Sequence, residues 1–543
     1  MMRVVVIGYG PVGARFVEGM LPAVRSGDAV VTVLGAETAD AYNRVLLAEY
    51  AVGRAHRERL DLTDTAGVRA AGVAVRLGEA AVAIDRTRRV VRTESGDRIP
   101  YDRLVLATGS RANVPTIAGM EYARRERLAR AQTAAGLDAA ARPLPRGVAV
   151  LRDLADAEVV ADAVREGRRI VVLGAGVLGL ELALAAREQG AEVVVVHHGD
   201  VPMARNLDHG GGRMLSRAAR AAGIDVAPHS RAESILLRTD SDGVPRFDAL
   251  VCADGKQIPG DLLLLSVGVS PRVELAAAAD LAVSTGILVD DRSHSWTDPA
   301  VYAIGDCAHV ADASAADGEG RVTGGPSGLI GPGWRQADAL AERLRTESAR
   351  VGAEPEPEAA RDAASVKERP TVVMLKAEGV DVVSGGDVSA EPWDEDPLDD
   401  VTVGHAGSCP SARQVTVWAD PARGGYVKMV TRGGVLEGFV SVGMPRTGAE
   451  LTLLFERRSE LPADRAVLLR LDADDAGAVA SADAFAPDAT VCWCNGVTVE
   501  RITAAAAAGA ETVECIGSAT RAGTGCGGCK GRVAELLART APA

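Results

Sequence analysis

The chain carries the pattern Gly-x-Gly-x-x-Gly twice, at Gly8, Gly10 and Gly13 and again at Gly174, Gly176 and Gly179. Each copy follows a short apolar run, 4–7 or 169–173, and precedes a stretch compatible with helix, the second reaching residue 189. A further apolar run comes next, at 30–34 and at 192–196. Strand, glycine turn, helix and strand in about 35 residues is the opening of a βαβ unit. The first glycine permits the tight turn, the second lets backbone approach a pyrophosphate, and the third lets helix and strand pack closely. Phosphates then sit at the helix N-terminus, among N–H groups that have no partner inside the helix. Pro11 falls in the first turn, where its missing N–H costs nothing. One such pattern is weak evidence. Two, each in the required strand-to-helix context, point to two dinucleotide-binding units.

An acid at the end of the second strand usually receives ribose hydroxyls, and Glu37 is placed for this in the first unit, near the usual spacing of about 20 residues. The second unit ends its strand in His197 and His198, with no acid there. That leaves NADH and NADPH both open, with NADH preferred. Between the units, YDRLVLATGS at 101–110 reads as a buried strand ending in a glycine turn, and VYAIGD at 301–306 as a strand with an acid at its carboxyl end. The Ala/Arg-rich stretch 121–142 predicts an inserted amphipathic helix. Polar, proline-punctuated 347–369 reads as a linker. Alternating runs at 414–418 and 425–430 predict a smaller β-containing domain within 370–470. Asp/Ala-rich 471–490 reads as a second linker, and the module that follows ends in a helix over 531–539.

That last module holds Cys492-Trp-Cys494 and Cys526-Gly-Gly-Cys529. Four thiolates in this pattern can surround one metal centre, and both an iron–sulfur cluster and a structural zinc ion accept four cysteines. The other four of the eight cysteines, Cys252, Cys307, Cys409 and Cys515, are scattered and read as small apolar fillers. Net charge is −14, which argues against nucleic acid as a partner. No stretch is apolar and long enough for a membrane span, and the N-terminal apolar run is too short for a signal peptide, so a cytoplasmic location is expected.

The segments GYGPVG, AYNRVLL, YDRLVLATGS, VVLGAGVLGLE and VYAIGDCA resemble the two-dinucleotide flavoprotein family that includes rubredoxin reductase and NADH oxidase. TVVMLKAEGVDVVSGGD and VTVWADPARGGYVKMV resemble the large subunit of NAD(P)H-dependent assimilatory nitrite reductase. VCWCNGVT and TRAGTGCGGCK are similar to the bacterioferritin-associated ferredoxin module. The resemblance implies an α/β chain with two Rossmann-like domains, for FAD and NAD(P)H, then a small α+β domain and a C-terminal [2Fe–2S] module. The implied boundaries are 1–150 and 263–346 for FAD, 151–262 for NAD(P)H, 347–369 and 471–490 for linkers, 370–470 for the α+β domain and 491–543 for the cluster module.

By position, the resemblance implies that Gly8, Gly10 and Gly13 hold the FAD pyrophosphate and Glu37 its ribose. Arg44, Thr108, Gly109, Gly305 and Asp306 would line the rest of the flavin site. Gly174, Gly176 and Gly179 would hold the nicotinamide cofactor, with Glu181 near its ring, and Arg44 and Glu181 would be the catalytic candidates. Cys492, Cys494, Cys526 and Cys529 would ligate a [2Fe–2S] cluster. The electron acceptor implied is a separate catalytic subunit, nitrate reductase first and nitrite reductase second, and a homodimer is compatible. A flavin redox sensor with a zinc-bound recruiting module is the alternative. Family members that reduce disulfides or peroxide carry a flavin-side cysteine; residues 46–49 here are Leu-Leu-Ala-Glu. The nitrite reductase large subunit goes on to a sirohaem and [4Fe–4S] domain, and no cysteine follows Cys529 here. The chain by itself is therefore not expected to reduce nitrite.

Overall fold

The computed structural model describes residues 1–120, 144–239, 241, 243–312, 314, 322–350, 372–377, 379–394, 413–472, 485–492, 495–525 and 527–540. The helix expected at 121–142 lies outside them.

Each glycine fingerprint sits at the centre of its own five-stranded parallel sheet. In the first, Met2–Ile7 pairs with Ala29–Gly35 on one side and Arg103–Leu106 on the other, with Ala74–Leu77 and Val301–Ala303 at the edges. In the second, Ile170–Leu173 lies between Val193–Val196 and Leu262–Leu265, with Asp225–Ala227 and Val148–Ala149 outside. Residues 4–7 of the first central strand and all of Ile170–Leu173 are buried apolar runs, as expected where helices cover both faces of a parallel sheet. The helix Pro11–Arg25 packs on the first sheet together with Ile330–Ala349, through Phe16, Val17 and Met20 against Ala337, Leu340 and Leu344. That second helix runs past residue 347, where a linker was expected. Its buried face continues through Ser348, so Glu347, Ser348 and Ala349 finish the last turn rather than start a linker.

Residues 372–469 add an antiparallel sheet in the order Val372–Ala377, Val380–Gly386, Val435–Val442, Gly425–Arg432, Arg413–Asp420, backed by the helix Pro445–Arg457. It docks on the second dinucleotide unit at the helix His209–Ala221. Asp208 caps that helix by accepting from Gly211 N (3.1 Å) and also accepts from the Tyr426 hydroxyl. Lys428, fully buried, places Nζ 3.5 Å from Asp208 and 3.1 Å from Glu391. A side chain at Gly210 would run into the Tyr426 hydroxyl at 2.6 Å and its ring at 2.7 Å, so glycine there permits the close approach.

The C-terminal module is a short hairpin, Thr490–Cys492 with Val497–Thr498, and three helices, Val499–Ala507, Val513–Thr520 and Lys530–Thr540. Its small core joins Val491, Val497, Ile502, Ile516 and Val533.

Candidate cofactor sites

Two glycines of each fingerprint are dictated by protein atoms. A Cβ on Gly8 would lie 2.1 Å from the Ala107 carbonyl oxygen, and one on Gly174 would lie 2.2 Å from that of Ser266. Cβ atoms on Gly13 and Gly179 would strike the carbonyls of Gly8 and Gly174 at 2.1 and 2.5 Å. The middle glycines differ. A Cβ on Gly10 would come no closer than 3.9 Å, to Arg44 Nε, and one on Gly176 would meet nothing within 4 Å. Neither fingerprint helix has a side-chain cap at its start. Open space above a middle glycine, beside uncapped N–H groups, is the cradle that a pyrophosphate fills. The residues therefore fit a dinucleotide in each unit.

A continuous cavity of about 2490 Å³ begins at the first cradle. It exceeds the about 300–1,000 Å³ of a single small-ligand site, so it has room for more than one group. Gly8, Gly10, Glu37, Arg44, Thr108, Gly109, Gly305 and Asp306 line one part, Glu181 another, and Cys492 and Cys529 a third. Gly13, Gly174, Gly176 and Gly179 do not line it, although Val177 and Leu178 at the start of the second fingerprint helix do.

Arg44 stands over Gly10 with its guanidinium paired to Glu37, donating to the Arg152 carbonyl at 2.7 Å and resting 4.9 Å from the Tyr42 ring. Burial, the largest single influence, pulls this guanidinium's pKa down, but the charges of Glu37, Tyr42 and Asp153 and the hydrogen bond to Glu37 together outweigh it and the net shift is upward. Arg44 stays cationic. Glu37 also accepts from the Tyr42 hydroxyl at 2.8 Å, so a sugar approaching it meets a carboxylate already oriented. Thr108 donates to the Arg272 carbonyl at 2.9 Å, and Gly109 turns the chain at φ +68°.

Asp306 is not alone. Its carboxylate accepts from Ser110 Oγ at 2.7 Å and from Arg152 Nη2 at 2.8 Å, and Arg152 also donates to Ser110 Oγ at 2.6 Å. Arg152 escaped the sequence reading. Its signal was local: it directly precedes Asp153, which with Asp156 forms a capping box on Leu154–Arg165. That box fixes the backbone from which Arg152 reaches Asp306 at the cavity wall.

At the far end, Cys492 and Cys529 meet side chain to side chain. The hydrogen bond from Cys529, opposed by burial and aided by the N–H groups of Gly523 and Asn495, lowers the Cys492 thiol to about 6. Asn495 Nδ2 also reaches Cys492 Sγ at 3.7 Å. Thiols drawn together and surrounded by N–H donors suit thiolate ligands of an iron–sulfur centre, whose sulfurs are tuned by such hydrogen bonds. Cys494 and Cys526 lie outside the described residues.

The fold and these sites define an oxidoreductase with two dinucleotide cradles and a cysteine module. Residues 490–539 match the BFD-like [2Fe-2S] binding domain, and residues 2–320 match the pyridine nucleotide-disulphide oxidoreductase family. The chain belongs to that family, with FAD, NAD(P)H and a [2Fe–2S] cluster as its cofactors. It is 29% identical over 542 residues to the nitrite reductase (NADH) large subunit of Escherichia coli strain K12, covering 99% of this chain and 55% of that relative. It is 26% identical over 540 residues to the assimilatory nitrate reductase electron transfer subunit of Bacillus subtilis strain 168, covering 98% of this chain and 59% of the relative. The chain thus spans a little over half the length of these relatives. In fold it is similar to the reductase of a covalent putidaredoxin reductase–putidaredoxin complex, with TM-score 0.65 and 21% identity over 86% of this chain and 95% of that one.

Proposed function

We propose that this chain oxidises NAD(P)H and delivers the electrons singly, through its cysteine module, to a separate catalytic subunit, assimilatory nitrate reductase in the first instance. One observation carries the reading: a single cavity joins Gly10 and Arg44 to Glu181 and to Cys492 and Cys529. When bound, FAD takes up the two electrons of a hydride and the [2Fe–2S] centre passes them on one at a time.

The protein's part is to bind and orient. Gly8, Gly10 and Gly13 cradle the FAD pyrophosphate, Glu37 holds its ribose, and Arg44 neutralises phosphate charge. Thr108, Gly109, Gly305 and Asp306 shape the flavin end, with Asp306 held in place by Arg152 and Ser110. Gly174, Gly176 and Gly179 cradle NAD(P)H, and Glu181 faces its nicotinamide end. Cys492, Cys494, Cys526 and Cys529 are the cluster ligands. Among the described residues no helix is long and apolar enough to cross a membrane. The relative named as a nitrate reductase electron transfer subunit supports nitrate reductase as acceptor, and the nitrite reductase relative keeps a nitrite-reducing subunit as the second reading.

The test is an anaerobic titration with NADH, followed by visible and EPR spectroscopy and paired with iron and zinc analysis. About two irons per chain and a reduced [2Fe–2S] signal support the reading. Stoichiometric zinc without iron overturns it and leaves the module as a recruiting element. Adding purified nitrate or nitrite reductase subunits then decides the acceptor.

A further inference from the structure

Asn43 sits one residue before Arg44 and is 1% exposed. Its Oδ1 accepts from Val45 N at 3.0 Å, which caps the short helical turn Arg44–Leu46. Its Nδ2 donates to two carbonyls of the cysteine module, Thr524 O at 3.1 Å and Gly525 O at 2.7 Å. The orientation of the amide is not arbitrary. A backbone N–H must donate and two backbone carbonyls must accept, so oxygen faces Val45 and nitrogen faces the loop. One side chain thus spends its acceptor on the flavin side and both its donors on the two residues that precede Cys526.

The rest of the interface holds the same loop. Asn495 Nδ2 donates to Arg521 O at 2.7 Å and reaches Thr524 Oγ1 at 3.4 Å, while its Oδ1 accepts from Arg15 Nη1 at 3.1 Å. Arg15 lies on the first fingerprint helix, as does Glu18, which pairs with Arg521. Asn43 differs from these in being sealed from water and in touching the turn that carries Arg44.

Building on the proposed function, we propose that Asn43 is the positioning residue that registers the cluster-bearing loop against the flavin. It acts through the loop and not on hydride transfer. The reaction it serves balances as NADH plus two ferricytochrome c giving NAD⁺, one proton and two ferrocytochrome c, cytochrome being a one-electron probe acceptor.

The informative change is Asn43→Asp. A carboxylate still accepts from Val45 N, so the Arg44 turn stays capped, but it offers no donor and faces two carbonyls. A second variant, Arg521→Glu, loosens the loop from the surface by opposing Glu18. The full-length holoprotein is assayed for iron content, the EPR signal of the reduced cluster, anaerobic flavin bleaching by NADH, cytochrome c reduction, and hydrogen exchange in the peptide covering 521–529. In Asn43→Asp, bleaching stays within about twofold of wild type, exchange accelerates, and cytochrome c reduction falls at least about tenfold, inside the 10²-fold that a misplacement near 1 Å can cost. Arg521→Glu shows the same split, smaller.

Wild-type transfer and exchange in Asn43→Asp with the cluster retained would overturn the inference. So would an equal fall in flavin bleaching, which would mean that Asn43 acts on the Arg44 side. If Asn43→Asp loses its iron, Arg521→Glu decides, and an unsplit phenotype there overturns the idea. Absence of iron in the wild type would instead break the proposed function.

Discussion

The two dinucleotide units share a backbone and differ in company. Both have first and third glycines dictated by carbonyl oxygens and a middle glycine that meets open space. Beyond the cradle they part. The first strand end presents Glu37, paired with Arg44 and held by Tyr42. The second presents His197 and His198; His197 is buried, and burial, then the charges of His198 and His229, hold its imidazole below the ordinary value. The first unit receives the cysteine module through neutral asparagine amides, with Arg521–Glu18 as an exposed flank. The second receives the antiparallel sheet through the buried Lys428, Asp208 and Tyr426. The glycine motif therefore settles the shape of the turn, the same in both units, while neighbours settle what each unit packs against.

The comparison breaks most visibly at the middle glycines. Gly10→Val should purify folded but without flavin, because the added bulk enters the pyrophosphate space and no protein atom. Gly176→Val should keep its flavin and lose bleaching by NADH. Loss of flavin in both, read from the visible spectrum, would show that the cradles are not independent. Gly8→Ala and Gly174→Ala should instead fail to yield soluble protein, since their Cβ atoms meet carbonyl oxygens near 2 Å.

Next in size is the charged interface. Lys428→Met removes the cation from beside Asp208 and should cost about 3–5 kcal/mol, the usual result of breaking a buried pair from one side. The denaturant midpoint of the sheet, followed by tryptophan fluorescence, reports it. A change under about 1 kcal/mol would make this contact no stronger than a surface ion pair. A smaller loss, about 1 kcal/mol, is expected for Asp153→Ala, which removes the helix cap beside Arg152. Flavin affinity should weaken with it as Arg152 loses its register on Asp306.

The smallest expected effect is one of pH. Burial first, then the charge of Asp153, pushes the Asp156 carboxyl up to about 6, above the about 3.9 of an unfolded aspartate. A raised folded value means that folding takes up a proton. The contribution is fully present below about pH 4 and is lost as pH rises through 6. Asp156→Asn should therefore gain on wild type in thermal midpoint between pH 4 and pH 7, by no more than the roughly 0–1 kcal/mol of a partly exposed charge. A gap that does not change with pH would remove Asp156 from the titrating set.

Much of this was legible beforehand because it depends on short-range rules. The strand before each fingerprint, the uncapped helix after it and the third glycine's close packing follow from residues within one βαβ unit. The strands Arg413–Asp420 and Gly425–Arg432 were legible from their apolar runs, but not their environments: the first is a partly exposed edge strand and the second is buried on both faces. Arg152 was not legible, because its partners Ser110 and Asp306 come from distant strands. Asn43 was hidden inside the AYNRVLL stretch, where Arg44 drew attention: an asparagine beside an arginine reads as a turn residue, and its two donors acquire meaning only from carbonyls some 480 positions away. The end of Ile330–Ala349 was missed because polar composition masked a buried face that continued one more turn.

By itself, the sequence determined the local chemistry: two glycine turns between strand and helix and the spacing of the C-terminal cysteines, each set by glycine sterics or residue type over a few positions. Only the tertiary structure decided that Cys492 lies beside Cys529, that Arg152 holds Asp306, and that Asn43 ties the cysteine loop to the turn carrying Arg44. Those pairings depend on how separately encoded surfaces pack, where one hydrogen bond forms or fails on an ångström of placement that no local pattern records.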